Sequence, residues 1–398
     1  MSTEDRKTPS RRLLLPLLAS IVAITPLAVD MYLPAMVQIA SDLGATMPQV
    51  QISLSVYLAG YALGMLFFGP IADQMGRRRL ARIGLGLFAI TSFALAFCDD
   101  IYLFWLLRAL QAFTGAAATV VVPGIIRHIY QKNTAKGMSY VSMIMMVAPL
   151  AAPSIGSMIM GLAQWQVIFL VLGGYALMTL AWVQMHLIDI PIYRSEKRGL
   201  KLFFESYGVI LGEAKARADI LSSMLASFAF FCFLTSVPFI YLDYFSVSEQ
   251  LFGVLFALNV IALMLGNFIN TRIVPKVGSR KMLYYGLTLA IISGTTLLVV
   301  SAMEMSLYYV VWSIAPLMMS LGIIASNADA LILMEFERNS GTATAVIGTL
   351  RFGSGALVGP ILALVHPENA LAFSAMMFTA VMLIVVTQLW HRKKNAHS

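Results

Sequence analysis

Apolar runs of membrane-spanning length recur between residues 13 and 390 of this 398-residue chain, each ended by a short polar or glycine-containing break. Reading every run as one helix predicts twelve spans, near 13–38, 49–72, 80–98, 102–126, 138–161, 166–188, 219–242, 250–271, 282–302, 306–334, 341–365 and 369–390. A helix needs about 20 apolar residues to cross the hydrocarbon core of a bilayer, and each run is near or above that length. Helices suit that medium because they satisfy their backbone polar groups internally. The longest connection is 189–218, where Arg194, Lys197, Arg198, Lys201, Lys215 and Arg217 alternate with apolar residues. That pattern predicts a cytoplasmic linker lying along the membrane surface. The expected organisation is thus a six-helix bundle at 1–188, a linker at 189–218 and a second six-helix bundle at 219–398.

Composition sharpens this reading. Only 12% of the residues are charged and 59% are hydrophobic, against about 25% charged in soluble proteins. The net charge of +8 could point to nucleic acid, but its distribution points elsewhere. Of the 27 lysines and arginines, only Arg108 and Arg351 lie inside spans. The rest fall in 1–12, 77–82, 127–136, 194–217, 272–281, 338 and 392–394, all on the side of the termini if the spans alternate. The opposite loops hold Asp42, Asp99, Asp100, Asp243, Glu249, Glu304 and Glu368. The positive-inside rule then places both termini in the cytoplasm, and no nucleic-acid partner is expected. Arg11 and Arg12 before an apolar run mimic a secretory signal, but the run continues past Asp30 without a small-x-small cleavage site, as an uncleaved span would.

Cys98 and Cys232 are too few for a disulfide framework or a zinc site. The five histidines (His128, His186, His366, His391, His397) are scattered, and no nucleophile elbow or phosphate-binding glycine loop is present. Neither an enzyme, nor a metal site, nor an ATP-driven pump is expected.

Between the second and third spans lies GPIADQMGRRR (69–79), and a worn copy, VGSRKM, surrounds Gly278 half a chain later. The repetition suggests two parallel halves. Gly69 would permit close packing and Gly76 a sharp turn. Asp73 could cap a neighbouring helix or bridge to a basic residue, forming a gate with Arg77, Arg78 and Arg79, which also anchor the topology. Pro275 stands where the second half would need Asp73, so a symmetric latch is not expected.

Ionisable residues inside spans are costly and mark function by default. Asp30 lies about 18 residues into the first span, on the order of 27 Å along it. It is the candidate proton-coupling carboxylate; a permanent structural ion pair is the alternative. Arg108 reaches comparable depth in the fourth span and is its candidate partner, unless it bonds helix carbonyls instead. Asp329 and Arg351 form a second candidate pair. Pro149 and Pro153 each remove a backbone donor and predict an interruption of the fifth span, where Gly156 permits close contact with the other half; a packing kink is the alternative. A mostly apolar pocket is expected at the midplane between the halves. By depth, its candidates are Tyr57, Tyr61, Met145, Met146 and Asn259, each of which could equally be ordinary helix packing. Gly60/Gly64 and Gly355/Gly359 have the spacing of close helix contacts.

Four segments, DMYLPA (30–35), GPIADQMGRRR (69–79), APLAAPSIG (148–156) and GTATAVIGTLRFG (341–353), together resemble the major facilitator superfamily, and within it the Bcr/CflA group of drug:proton antiporters. The resemblance spans nearly the whole chain. It implies an all-α integral membrane fold of 12 transmembrane helices in two six-helix bundles, both termini cytoplasmic, as a multi-pass monomer in the bacterial inner membrane. It also implies small-molecule substrates, protons and the lipid bilayer as partners, with no cofactor and the proton gradient as energy source. Arg108, within LRALQAFTG (107–115), matches an arginine that the family implicates in proton transfer. The segment at 148–156 matches the family's exporter-type helix, although alanines stand where glycines are usual. The implied activity is drug:H+ antiport by alternating access. The alternative is a proton-coupled symporter for a metabolite such as a nucleoside or amino acid, which would need the same fold and carboxylate.

Overall fold

The computed structural model describes residues 11–130, 134–187, 207–336, 340–365 and 369–395, and the side chains of these except 11–13, 70, 73, 74, 130, 134–146, 340–342, 394 and 395. Among the described residues all regular structure is helical, and eleven helical stretches are long and apolar enough to cross a membrane. A shorter apolar stretch, Val147–Leu162, belongs to a further long helix. In order the helices are α1 (Arg11–Asp30), α2 (Met36–Asp42), α3 (Met47–Met75), α4 (Arg77–Ala96), α5 (Ile101–Thr119), α6 (Val122–Tyr130), α7 (Thr134–Leu162) and α8 (Gln166–His186). After the linker come α9 (Arg217–Pro238), α10 (Glu249–Val277), α11 (Ser279–Ala302), α12 (Leu307–Glu335), α13 (Ser340–Gly355), α14 (Val358–Val365) and α15 (Leu371–Asn395). Much of the expected linker, 188–206, lies outside the described residues.

Several apolar runs are not single helices. The first stops at Asp30 and continues through a 3-10 turn, Leu33–Ala35, into α2. Pro34 has no N–H to give the Asp30 carbonyl, so the α-helical ladder ends there. The fourth run divides into α5 and α6, and the eleventh into α13 and α14. Both second pieces carry a proline in the first turn (Pro123 and Pro360), where its missing donor is not needed. The seventh passes from α9 into a π-helical turn, Phe239–Tyr244, directly after Pro238.

The fifth run behaves in the opposite way. The expected interruption at Pro149 and Pro153 does not occur: α7 continues through both. Neighbours hold it on two sides, since it packs between α1 and α10. Gly156 lies against the Met31 carbonyl, and Gly253 of α10 lies against Ser157. Such flanking contacts let a membrane helix keep its course despite lost backbone bonds.

Helices α1 to α8 pack chiefly on one another, as do α9 to α15, and the two groups meet along α7/α10 and along α3 with α13 and α14. Glycines set the closeness of these contacts. A Cβ on Gly64 would fall 2.8 Å from the Phe113 carbonyl oxygen, and one on Gly359 would fall 3.1 Å from the Gln51 carbonyl oxygen. The first joins α3 to α5 and the second joins α14 to α3. At the end of the molecule near the termini, Gly76 (φ 87°) and Gly278 (φ 84°) make matching turns into α4 and α11, a conformation that disfavours any residue with a Cβ.

Candidate functional site

A cavity of about 420 Å³ lies between the two groups of helices, walled by α1, α7, α9, α10, α12 and α13. Its wall is mostly apolar, with Phe231, Phe352 and Leu234 among its members. Phe352 joins the Tyr61 ring at 4.5 Å between centroids and Phe231 at 5.6 Å, forming an aromatic shelf.

Asp30 borders this cavity from the last position of α1. It is 2% exposed, and its buried Oδ1 has no hydrogen-bond partner. Across the cavity, Asp329 of α12 and Arg351 of α13 form a direct pair, Nη1 to Oδ2 at 2.9 Å. The candidate second ion pair is thus present in the geometry. Two serines of α9 hold it: Ser223 donates to Asp329 Oδ1 at 2.5 Å, and Arg351 Nε donates to Ser227 Oγ at 2.7 Å. Beside the pair, Ser326 donates to Asn267 at 2.6 Å. Asp329 and Arg351 partner one another, whereas no described side chain partners Asp30.

The structure does not join Asp30 to Arg108. Arg108 is fully buried in a box of aromatic rings, its guanidinium 4.2 Å from the Tyr32 centroid, 4.3 Å from Tyr57 and 5.8 Å from Phe169. Its Nη1 donates to the Ala28 carbonyl (3.1 Å) and to Gln111 Oε1 (2.7 Å), and Gln111 in turn donates to Ser92. The Ala28 carbonyl is free for this because α1 ends two residues later, leaving last-turn acceptors without helical donors. A cation is also well placed against a helix C-terminus. The sequence expectation of an Asp30–Arg108 pair is therefore corrected. Similar depth brought the residues near one another, but the end of α1 and the aromatic rings captured the guanidinium.

The pocket candidates divide in the same way. Tyr57 lies under Arg108 and Tyr61 bonds Thr119 (2.8 Å) while backing Phe352; neither lines the cavity. Asn259 is buried against Tyr241, donating to its hydroxyl at 3.0 Å, and also lies off the cavity. The residues that do face it on α10 are Val260, Leu263, Met264 and Asn267. They follow the i, i+3, i+4, i+7 stripe of one helix face, and Asn259 is one residue, about 100° of rotation, off it. Asn267, Ser326 and Ser227 were not singled out from the sequence; polar residues continuing a small or apolar stripe were the available signal. Pro149 lines the cavity and Pro153 is buried. The side chains of Met145 and Met146 lie outside the described residues.

The two helix groups are joined toward the end that carries the 43–46, 97–100 and 163–165 turns. There Gln51 Nε2 donates to the Thr235 carbonyl (3.0 Å) and the Gly359 N–H donates to Ser55 Oγ (2.8 Å). Among the described residues these two are the hydrogen bonds that cross between the helix groups.

At the other end the gate turn makes these bonds to described residues of its own group. Gly69 lies in α3, whose end is formed by Gly76. Arg77 donates to the Gly124 carbonyl (2.8 Å), Arg78 to the Gln184 carbonyl (2.7 Å) and Arg82 to Gln184 Oε1 (2.7 Å), while Arg79 is exposed. The Asp73 side chain lies outside the described residues. The second turn has an acidic partner from α9, and none from the position of Pro275. Arg280 makes two bonds to the buried Asp219 (2.6 and 2.8 Å) and one to Gln388 (3.1 Å). Gln184 and Gln388, from the last helix of each group, serve the two turns alike.

The pattern of the Major Facilitator Superfamily matches residues 18–360. A bicyclomycin resistance protein homolog of Haemophilus influenzae is 31% identical over 374 residues, covering 92% of each chain. A chloramphenicol resistance protein of Pseudomonas aeruginosa is 28% identical, over 94% of this chain and 88% of that one. The crystal structure of the nucleoside transporter NupG superposes with a TM-score of 0.72 over 95% of this chain and 98% of its own, at 12% identity, a likeness of fold alone.

Proposed function

The chain belongs to the Major Facilitator Superfamily, a family of membrane transporters, and from that premise we propose that it exports small amphipathic drugs from the cytoplasm by proton-coupled antiport. The observation that carries the reading is Asp30: a buried carboxylate with an unpartnered oxygen on the wall of the central cavity. A carboxylate so placed favours taking up a proton or a ligand donor, and the two uses exclude each other. The names of the two resistance-protein relatives support a drug as the cargo.

In this reading twelve spans form two moving bundles, 1–188 and 219–398, with both termini in the cytoplasm of a bacterial cell and the protein in its inner membrane. Substrate enters from the terminal end while the Gln51–Thr235 and Ser55–Gly359 contacts close the outer end. Rocking opens that outer seal, a proton from the acidic side loads Asp30, and the substrate leaves. The protonated carrier returns and discharges the proton inward. Arg108 acts in this cycle by holding the end of α1, and therefore Asp30, in place. The Gly69–Gly76 turn with Asp73 and Arg77 to Arg79 latches the cytoplasmic ends in the alternate state, and Gly156 keeps the seam beside α1 tight.

The test uses proteoliposomes with an imposed pH gradient and a panel of drugs, run on wild type and Asp30→Asn. Wild type is expected to accumulate drug against its gradient, and the variant to insert normally yet lose at least about tenfold of the pH-driven flux. Undiminished pH-driven flux by the variant would remove Asp30 from the coupling role. Proton movement with a nucleoside or an amino acid but with no drug would reassign the protein to metabolite symport.

A further inference from the structure

The hydrogen-bonding capacity left open on the cavity wall is of opposite kinds on opposite sides. On α1, Asp30 offers an acceptor oxygen that no described group satisfies. On α13, Arg351 spends Nε on Ser227 and Nη1 on Asp329, while its Nη2 has no partner among the described residues. The side chain is 37% exposed and borders the cavity. Asp329 already takes one donor at each oxygen, from Ser223 and from Arg351, and the charged group with a donor left over on that wall is Arg351, at Nη2. Phe231 and Phe352 add aromatic surface to the same cavity wall.

We propose that the cavity selects amphoteric ligands: an aromatic or apolar body with a cationic group for Asp30 at one end and a carboxylate or comparable acceptor for Arg351 at the other. This deepens the transport reading above and rests on the cavity being the transported ligand's site. A simple cation satisfies Asp30 but displaces water from Arg351 without replacing its hydrogen bond, and an unpaired donor weakens binding roughly tenfold or more. A simple anion satisfies Arg351 but confronts Asp30, a like charge in a poorly solvated site. A ligand carrying both groups meets both walls. The pair with Asp329 keeps Arg351 from binding anions as an isolated charge would, so both ends of the ligand are needed for full affinity.

The test is equilibrium binding to the purified full-length chain in detergent, by calorimetry, with two matched sets whose charged groups lie at opposite ends of the ring: 4-(aminomethyl)benzoate, 4-methylbenzylamine and 4-methylbenzoate; and 4-(2-aminoethyl)benzoate, 4-methylphenethylamine and 4-ethylbenzoate. The zwitterion of each set is expected to bind about tenfold or more tighter than its amine and its acid. The double variant Asp329→Asn/Arg351→Gln, which keeps a polar side chain at each position and removes both charges, should bring zwitterion and amine to within about threefold of each other. Arg351→Lys, which keeps the charge and loses the fork, should retain a reduced preference. Amines binding as tightly as zwitterions in both sets, or no binding by any member, would overturn the proposal, and the wild-type result decides this even if the variants fold poorly. Because no pH gradient is applied, this outcome is separate from the coupling test. Zwitterion preference without pH-driven flux would leave the selectivity and remove the antiport reading; flux without the preference would do the reverse.

Discussion

Two arginines, Arg108 and Arg351, lie well away from the ends of the membrane-spanning stretches, and their surroundings could hardly differ more. Arg108 is fully buried off the cavity against three aromatic rings and bonds a helix-end carbonyl and Gln111. Arg351 opens onto the cavity, paired with Asp329 and steadied by Ser227. The difference separates two uses of a buried cation. A guanidinium enclosed by rings and fixed acceptors acts as structure, because its removal leaves both a void and unpaired polar groups. One that borders a cavity with a donor to spare remains available to a ligand.

The contrast is broken most sharply by truncation. Arg108→Ala should destabilise the protein by about 4 kcal/mol, combining cavity creation with stranded acceptors. Arg351→Ala should cost about 1–2 kcal/mol, since its partly open pair is screened. Thermal unfolding in detergent measures both, and equal losses would erase the distinction. A smaller effect comes from a double-mutant cycle on the open pair. Asp329→Asn and Arg351→Gln should couple by about 1 kcal/mol in the same melts, and strict additivity would mean that the pair contributes nothing to stability. The smallest effect concerns what Arg108 uses in Tyr57. The hydroxyl of Tyr57 makes no hydrogen bond, so Tyr57→Phe should stay within about 0.5 kcal/mol of wild type. Tyr57→Leu, which removes the ring beneath the guanidinium, should lose about 1–2 kcal/mol.

The same contrast shows which parts of the site could be read in advance. Asp30, Asp329 and Arg351 were legible because an ionisable residue in an apolar run is conspicuous wherever its helix points. Asn267 and Ser326 were not, because polar uncharged residues are common in spans and only their rotation makes them part of the wall. Asn259 stands one residue off the stripe through Asn267 along α10, enough to turn its side chain from the cavity into the packing around Tyr241. Proline was an equally uneven guide. Pro34 ends α1, whereas Pro149 and Pro153 leave α7 intact, because the outcome depends on what surrounds the freed carbonyl.

By itself, the amino-acid order determined the helices, their apolar character, the Gly76 and Gly278 turns and the motifs of the family. These depend on composition over a run or on the conformational needs of one residue, both local properties. The tertiary structure alone decided that Arg108 turns to Tyr32, Tyr57 and Phe169, that Arg351 meets Asp329, and that Asp30 remains unpaired beside the cavity. Partners of this kind come from different helices, and their meeting is set by the rotation and depth that close packing of the whole assembly imposes.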